Sequence, residues 1–307
     1  MRVEYSDYLK FIDDALEIAK SIPKYFSKFS NKIYCNHQKL AIYVLMQKFK
    51  TTTRGIVSIL RASSDIRLHL GLTNVPVHTT ISRFIKKVRK QITKLLGIRQ
   101  AVNVAVDSTG FELENKSYYY RTVWDSNRRK KTKKFMKLSV AIDIDKQLIL
   151  THKIRKSRSH DSKDFKFLTK ELRFKKVIAD KGYDSHQLRN YVIRFKKAIP
   201  VIPIRNHTHF YGYYKTGRKI LGEDYPRRSI VETIFFCIKK KYGSVLRNRT
   251  YATQKVELIS KLIAYNIDRM QYYFLLILRV APAQGIAKLK NSCLLKERYG
   301  ENKDNFG

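Results

Sequence analysis

The sequence is poor in cysteine and has no long apolar run. Its 307 residues include only Cys35, Cys237 and Cys293, which lie far apart. An odd, widely spaced set supports neither a disulfide scaffold nor a four-ligand zinc module, and it fits a reducing compartment. The most apolar stretch, 272–281, is about ten residues long, whereas a membrane-spanning helix needs about 20. Since the N-terminal residues also lack the apolar segment of a signal peptide, we expect a cytoplasmic, nucleoid-associated protein.

Acidic residues are scarce relative to basic ones. The chain has 64 Lys and Arg against 25 Asp and Glu, a formal net charge of +39. A chain this basic is suited to a polyanion, and the spread of its cations favours nucleic acid over an anionic membrane. The 43% hydrophobic and 12% aromatic residues exclude a disordered basic tail. We therefore predict a folded protein of about two domains that binds double-stranded DNA.

The first third of the chain, residues 1–98, is predicted to be all-helical. Threonine and serine caps precede short helices over 54–61 and 66–70, the second ended by Gly71, and a threonine-capped basic amphipathic helix follows over 78–96. Short helices joined by tight turns, the last of them strongly basic, are typical of a helix-turn-helix DNA-binding region. A helical bundle with a solvated basic face fits the same pattern.

The pattern changes at residue 99, from where we predict an α/β domain with a mixed sheet that extends to residue 280. Strand-like runs occupy 102–106, 135–144, 148–154, 176–179 and 198–204. Helical patterns lie between and after them, over 164–172, 186–195, 226–242 and 253–278. Strands that cluster and then alternate with helices indicate this fold class. We interpret 205–224 as a surface insertion and 281–307 as a polar tail.

Three acidic residues are candidates for the chemistry. Asp107 and Asp180 each follow a predicted strand, where functional side chains of α/β folds tend to lie, although an aspartate there also commonly caps a turn. Glu232 lies in the helix that Pro226 opens. Three converging carboxylates would bind Mg²⁺, and two divalent cations support phosphodiester hydrolysis and strand transfer. We refer to Asp107, Asp180 and Glu232 as the acid triad.

The helix that carries Glu232 has two distinct faces. At 100° per residue, Tyr225, Arg228 and Lys239 fall within about 40° of Glu232. The opposite face is predicted to be the apolar stripe that packs on the sheet, formed by Ile230, Ile234, Cys237 and Ile238. The cations beside Glu232 would bind DNA phosphates. The alternative is an exposed Arg228–Glu232 pair one helical turn apart.

These residues stand in motifs that resemble a known family. Asp107 in VAVDSTGF, Asp180 in VIADKGYDS and the segment YPRRSIVETIFFCIKK resemble the DDE transposases of prokaryotic insertion sequences, in the branch with the Tyr-x2-Arg-x3-Glu-x6-Lys signature. The resemblance implies a ribonuclease-H-like catalytic domain preceded by an all-helical DNA-binding domain. It also implies cleavage at terminal inverted repeats, strand transfer into target DNA, and a homodimer that pairs two transposon ends.

The resemblance also assigns roles to individual residues. The acid triad would be catalytic and bind Mg²⁺ or Mn²⁺ ions, while Tyr225, Arg228 and Lys239 would contact phosphates and terminal nucleotides. The 51 residues between Asp180 and Glu232 leave no room for the large β-rich insertion of some relatives. A nuclease without strand transfer and a non-catalytic DNA-binding protein are the alternative functions.

Several further residues are candidates for DNA contact. The basic run that begins with Arg128, Arg129, Lys130 and Lys131 is predicted to contact the DNA backbone from a hairpin, or else to be a solvated loop. His160 and Asp161 would support the site or contact DNA, with a simple turn as the alternative. Trp124 would pack in the core or on an edge strand, or stack on a flipped base.

Overall fold

The fold is taken from a computed structural model that describes residues 8–96, 99–114, 135–156, 159–204 and 224–280. Several sequence-based predictions therefore lie outside the described residues. These are the hairpin cations Arg128, Arg129, Lys130 and Lys131, the role of Trp124, the insertion apart from Asp224, and the polar tail.

The N-terminal third is helical where it is described. Its helices are α1 (Tyr8–Ala19), α2 (Asn36–Lys48), α3 (Thr53–Ala62), α4 (Ser64–His69) and α5 (His78–Lys87), followed by a 3₁₀ turn over Ile92–Lys94. The hydroxyl of Thr52 caps α3 by accepting from the Gly55 amide, and Ser63 caps α4 by accepting from the Ile66 amide. Gly71, with φ of +61°, follows α4 as predicted.

Helix α5 begins at His78 as predicted, but the prediction was wrong about its cap and its C-terminal end. The helix ends at Lys87 instead of Leu96, and its N-cap is Val77, which makes no side-chain cap. Beyond Lys87 the chain turns so that Val88 and Ile92 are both fully buried. Tertiary packing of these apolar side chains therefore overrides the local helical pattern.

The α/β part contains the predicted mixed sheet. Its strands are β1 (Asn103–Leu113), β2 (Phe135–Asp143), β3 (Leu148–Arg155), β4 (Lys176–Ala179), β5 (Ile199–Val201) and β6 (Val245–Leu246). The order is β3-β2-β1-β4-β5, with β6 beside the end of β1. The β1–β2 and β2–β3 pairs are antiparallel, whereas β4, β5 and β6 pair in parallel.

Strand β1 is longer than predicted. The pattern placed its end at Asp107, but the strand continues to Leu113 because β2 pairs with it as far as Glu112 and β6 pairs with its last two residues. The parallel partner β4 stops at Ala179, opposite Val106. Asp107 thus lies inside a strand and yet directly beyond the β1–β4 ladder.

The remaining helices flank this sheet. They are α6 (Ser162–Thr169), α7 (His186–Asn190) with a π-helical continuation over Tyr191–Phe195, α8 (Ser229–Tyr242) and α9 (Tyr251–Val280). A 3₁₀ turn, Tyr225–Arg228, precedes α8, so the predicted helix from residue 226 begins as a tighter coil. Over the described stretches of the chain, no helix combines the length and apolar character needed to cross a membrane.

The two faces of the sheet have separate cores. One core contains Ala105 and Phe111 of β1 together with buried side chains of α8, α9 and the N-terminal helices. The other contains Val104 and Val106, which alternate with the first set along the strand, and it packs against α6 and α7. The N-terminal helices thus share a core with the sheet face that Asp107 also occupies.

Polar contacts tie the N-terminal helices to α9. Lys48 of α2 forms a salt bridge of 2.5 Å with Asp268 of α9, and both side chains are only 10% exposed. The Tyr242 hydroxyl at the end of α8 donates to the same carboxylate. Three helices therefore meet at Asp268, and the end of α8 is fixed relative to both the sheet and α2.

Candidate active site

Asp107 and Asp180 lie side by side at the end of the β1–β4 ladder. The last paired residues of this parallel ladder are Val106 and Ala179, and the next residue along the chain in each case is one of the two aspartates. Residues at matching positions of neighbouring strands project to the same side. The topology therefore brings together two carboxylates that are 73 positions apart in the sequence.

The two aspartates are held by local backbone contacts. The Asp107 carboxylate accepts a hydrogen bond of 2.7 Å from the Ser108 amide, and that of Asp180 accepts one of 2.6 Å from the Lys181 amide. Burial raises the pKa of Asp107, and the charge of Asp180 adds to this rise, whereas the Ser108 amide and the Arg228 guanidinium oppose it. Binding a cation would relieve the unfavourable charge that burial and repulsion create.

Helix α8 positions Glu232 above this pair. Its buried side chains are Val231, Ile234, Phe235, Ile238 and Tyr242, which pack into the core shared with the sheet. This corrects the predicted apolar stripe, because Ile230 and Cys237 are only partly buried and Phe235 takes a central place. Glu232 projects away from that face with 60% of its side chain exposed. The helix ends at Gly243, whose φ of +88° suits glycine.

Arg228 connects two members of the acid triad, Asp107 and Glu232. One terminal nitrogen of its guanidinium, Nη2, lies 3.1 Å from Asp107 Oδ2, and the other, Nη1, lies 3.1 Å from Glu232 Oε1. Burial lowers the pKa of Arg228, but the charges of the acid triad outweigh this and raise it. The predicted pair of Arg228 with Glu232 is therefore present, and it extends inward to Asp107.

Lys239 and Tyr225 border the same site. The Lys239 ammonium donates a 2.7 Å hydrogen bond to the Thr109 hydroxyl and lies 5.5 Å from the centre of the Phe111 ring. Burial raises the pKa of Tyr225, and the charge of Asp180 raises it further. Thr109 was not among the predicted site residues, although its position two residues after Asp107 on the same strand face is a usable signal.

The loop before α6 lies near the triad. His160 Nδ1 lies 2.7 Å from the Ser162 hydroxyl within its own turn, whereas Asp161 pairs with Lys137, a nearly buried cation of β2. The charges of Asp161 and Asp107 add to the effect of burial in raising the pKa of Tyr183. No local sequence pattern indicated Lys137 or Tyr183, because Lys137 pairs with a residue from a separate part of the chain and Tyr183 is buried by tertiary packing.

The carboxylate oxygens at the site are suitable ligands for a divalent cation. Carboxylate oxygens are the ligands that Mg²⁺ prefers, and Asp107 and Asp180 supply them side by side. Two buried polar atoms near the pair, Arg228 Nε and Tyr183 Oη, have no hydrogen-bond partner within the described residues. Over the same residues, no three His, Cys, Asp or Glu side chains are close enough to hold a metal ion. Arg228 lies between Asp107 and Glu232. A divalent cation bound in its place would bring these two carboxylates together.

The sequence and the fold were compared with known proteins. A solved structure, the cryo-EM structure of the piggyBac transposase synaptic complex with hairpin DNA, matches with a TM-score of 0.44 and 11% sequence identity, covering 96% of this chain and 86% of that one. The family model described as Transposase DDE domain matches residues 99–267. This match contains the whole acid triad and spans more than half of the chain, so the protein belongs to the DDE transposase domain family.

Proposed function

We propose that the protein is a DNA transposase of the insertion-sequence branch that carries the Tyr-x2-Arg-x3-Glu-x6-Lys signature. It would cleave DNA at terminal inverted repeats and join the freed ends to target DNA. The observation that carries this proposal is the pair of 3.1 Å contacts by which Arg228 joins Asp107 to Glu232. The strand order β3-β2-β1-β4-β5, with β2 and β3 antiparallel, supports a ribonuclease-H-like core.

The acid triad would hold two Mg²⁺ or Mn²⁺ ions. When bound, such ions activate an oxygen nucleophile and stabilise the leaving oxygen. In hydrolysis, a water oxygen bonds to phosphorus, the bond from phosphorus to the 3′ oxygen breaks, and that oxygen leaves as a 3′-hydroxyl after taking a proton. In strand transfer, the 3′-hydroxyl attacks a target phosphodiester in the same way, which releases a second 3′-hydroxyl.

The signature residues would orient the DNA. The side chains of Arg228 and Lys239 place two cations at the site. DNA phosphate oxygens can replace Asp107 and Thr109 as their hydrogen-bond partners. Tyr225 offers a phenol beside Asp180 that can donate to a phosphate or pack on a terminal nucleotide. These roles depend on the resemblance to the family and on the proximity of the three side chains to the triad.

DNA recognition is assigned to the N-terminal helices. We propose residues 1–98 as the DNA-binding region, 99–280 as the catalytic domain and 281–307 as a tail, with Arg128, Arg129, Lys130 and Lys131 as further backbone contacts. Helix α5 supports this division because Arg83, Lys86 and Lys87 are exposed on it. A homodimer would pair two transposon ends in the cytoplasm.

The proposed reaction can be tested on a supercoiled plasmid that carries the DNA flanking the gene. With Mg²⁺, the transposase is expected to cut at the repeats and to produce joined products. Cutting without joining would instead indicate a nuclease. Metal-independent DNA binding without cutting would indicate a non-catalytic DNA-binding protein.

We predict opposite effects on metal binding and catalysis when Arg228 is replaced by glutamine. Removing the guanidinium leaves Asp107 and Glu232 without their shared cation. Mn²⁺ should therefore bind about tenfold more tightly in the absence of DNA. Cleavage should fall by about a hundredfold because a phosphate-orienting group is lost. Calorimetric titration with Mn²⁺ and a cleavage assay measure the two effects. Arg227→Gln, which removes the partner of Asp145 outside the triad, is the control and should change neither value more than twofold.

A further inference from the structure

A cleft separates helix α5 from the segment that precedes α2. Its volume is about 540 Å³, and its lining includes the aromatic side chains of Phe26, Phe29 and Tyr34. The lining also includes three cations, Lys39 of α2 together with Arg83 and Lys87 of α5. Arg83 and Lys87 are one helical turn apart, so both side chains face the same groove.

The cleft cations lack opposite charges. Among the described residues, no carboxylate forms a salt bridge with Lys39, Arg83 or Lys87. The sequence accounts for this, because Asp65 is the only acidic residue between Glu17 and Asp107. Burial lowers the pKa of Lys39, and the charge of Lys87 lowers it further despite an opposing effect of Cys35. Lys39 and Lys87 therefore repel each other, and an anion in the cleft would relieve this repulsion.

The rim of the cleft exposes apolar surface beside this charge. Phe29 is 86% exposed and Ile33 is 58% exposed. An aromatic ring held in water next to cations is the combination that single-stranded nucleic acid uses, since phosphates take the cations and bases stack on the ring. Acidic peptides would pair with the cations of the cleft, but they supply no planar base that could stack on the Phe29 ring.

We propose that this cleft, which we call the basic–aromatic cleft, binds DNA directly. Lys39, Arg83 and Lys87 contact successive phosphates, and Phe29 stacks on a base that is unpaired at or near a DNA end. The inference rests on the proposed DNA-transposase function. It adds a binding site of defined chemistry that lies on a different part of the chain from the acid triad.

The cationic part is tested with the variant Lys39→Gln/Arg83→Gln/Lys87→Gln of the full chain. Anisotropy titrations with a labelled DNA duplex in EDTA measure binding without cleavage, so they are independent of the triad. Each phosphate contact contributes about 0.9 to the slope of log K against log salt concentration. The slope should therefore fall by about 2 to 3. An unchanged slope would overturn the proposal even if cleavage by the wild type supports the transposase function.

The control removes equal charge from a second basic cleft. Lys153, Lys170 and Lys255 line that cleft together with the ion pair formed by Arg99 and Glu171. The variant Lys153→Gln/Lys170→Gln/Lys255→Gln should lower the slope by less than about 1. Equal decreases for the two triple variants would show a general charge effect and contradict a site in the basic–aromatic cleft. Thermal melts of both variants verify that each is folded.

The aromatic part is tested with Phe29→Ala. Stacking on an aromatic ring typically contributes enough for at least a fivefold loss of affinity for a single-stranded oligonucleotide, about 1 kcal/mol or more. Binding of a blunt duplex should change by less than about twofold. Phe195→Ala, at a ring that is 77% exposed on the α7 side, is the matched control. If Phe29→Ala leaves single-strand affinity intact, or weakens both ligands equally, Phe29 does not stack on a base.

Discussion

Replacing Asp107 with asparagine is expected to lower metal-dependent DNA cleavage by about a thousandfold or more, on the order of the loss when a group that stabilises transition-state charge is removed. The carboxylate is one of two adjacent oxygen donors at the end of the β1–β4 ladder, and it contacts Arg228 directly. Asparagine keeps the size of the side chain but removes its negative charge. The measurement is the rate of strand cutting on the plasmid substrate with Mg²⁺.

The stability of this variant separates catalysis from folding. Burial raises the pKa of Asp107 in the folded protein, so the stabilising contribution of this group is present at low pH and is lost as the pH rises through the raised pKa. At neutral pH the ionised carboxylate is therefore a cost, which asparagine removes. We expect a melting temperature that does not fall at neutral pH. Asp145→Asn, at a carboxylate paired with Arg227, should retain cleavage; equal activity in both variants would exclude Asp107 from the chemistry.

Replacing Asp164 with alanine is expected to lower the free energy of unfolding by about 3 to 5 kcal/mol. Its side chain is fully buried in α6, where it accepts a 3.0 Å hydrogen bond from the Ser139 hydroxyl and pairs with Arg155 at 2.5 Å. Without the carboxylate, a buried hydroxyl and a partly buried cation both lose their partner. Urea denaturation measures the change.

The control for Asp164 is an exposed ion pair. Arg99 and Glu171 lie 3.9 Å apart with 74% and 69% of their side chains exposed, so Glu171→Ala should change the free energy of unfolding by less than about 1 kcal/mol. A comparably small loss for Asp164→Ala would mean that its contacts do not hold α6 against the sheet. The position of the loop with Asp161 would then need another explanation.

The sequence predicted the strands that carry the site better than it predicted how those strands pair. Local apolar patterns correctly indicated the strands that contain or precede Asp107 and Asp180. They could not predict that Val106 pairs with Ala179, because the register of a parallel pair depends on how helices between the strands pack. Strand β6 was missed for a similar reason, since its two residues form a strand only where α8 returns the chain to β1.

The contacts of α8 also include one that local spacing predicts and others that depend on the tertiary fold. Arg228 and Glu232 are one helical turn apart, so their pairing follows from local spacing, and the structure contains it. The partner of Lys239 is Thr109, 130 positions earlier, which no local pattern reveals. The 3₁₀ turn at Tyr225–Arg228 changes the angles expected for a continuous α-helix, yet packing against the sheet still brings Arg228 to Asp107.

We propose that Asp107, Asp180 and Glu232 bind the metal ions of one active site. The most direct test replaces Mg²⁺ with Fe²⁺ and generates hydroxyl radicals with ascorbate and peroxide, which cut the polypeptide beside the bound metal. Sequencing of the fragments is expected to place cuts in β1 near Asp107, after β4 near Asp180 and in α8 near Glu232, with excess Mg²⁺ suppressing all three. Cuts confined to other segments, or cuts at these positions that Mg²⁺ does not suppress, would show that the three acids do not form the metal site.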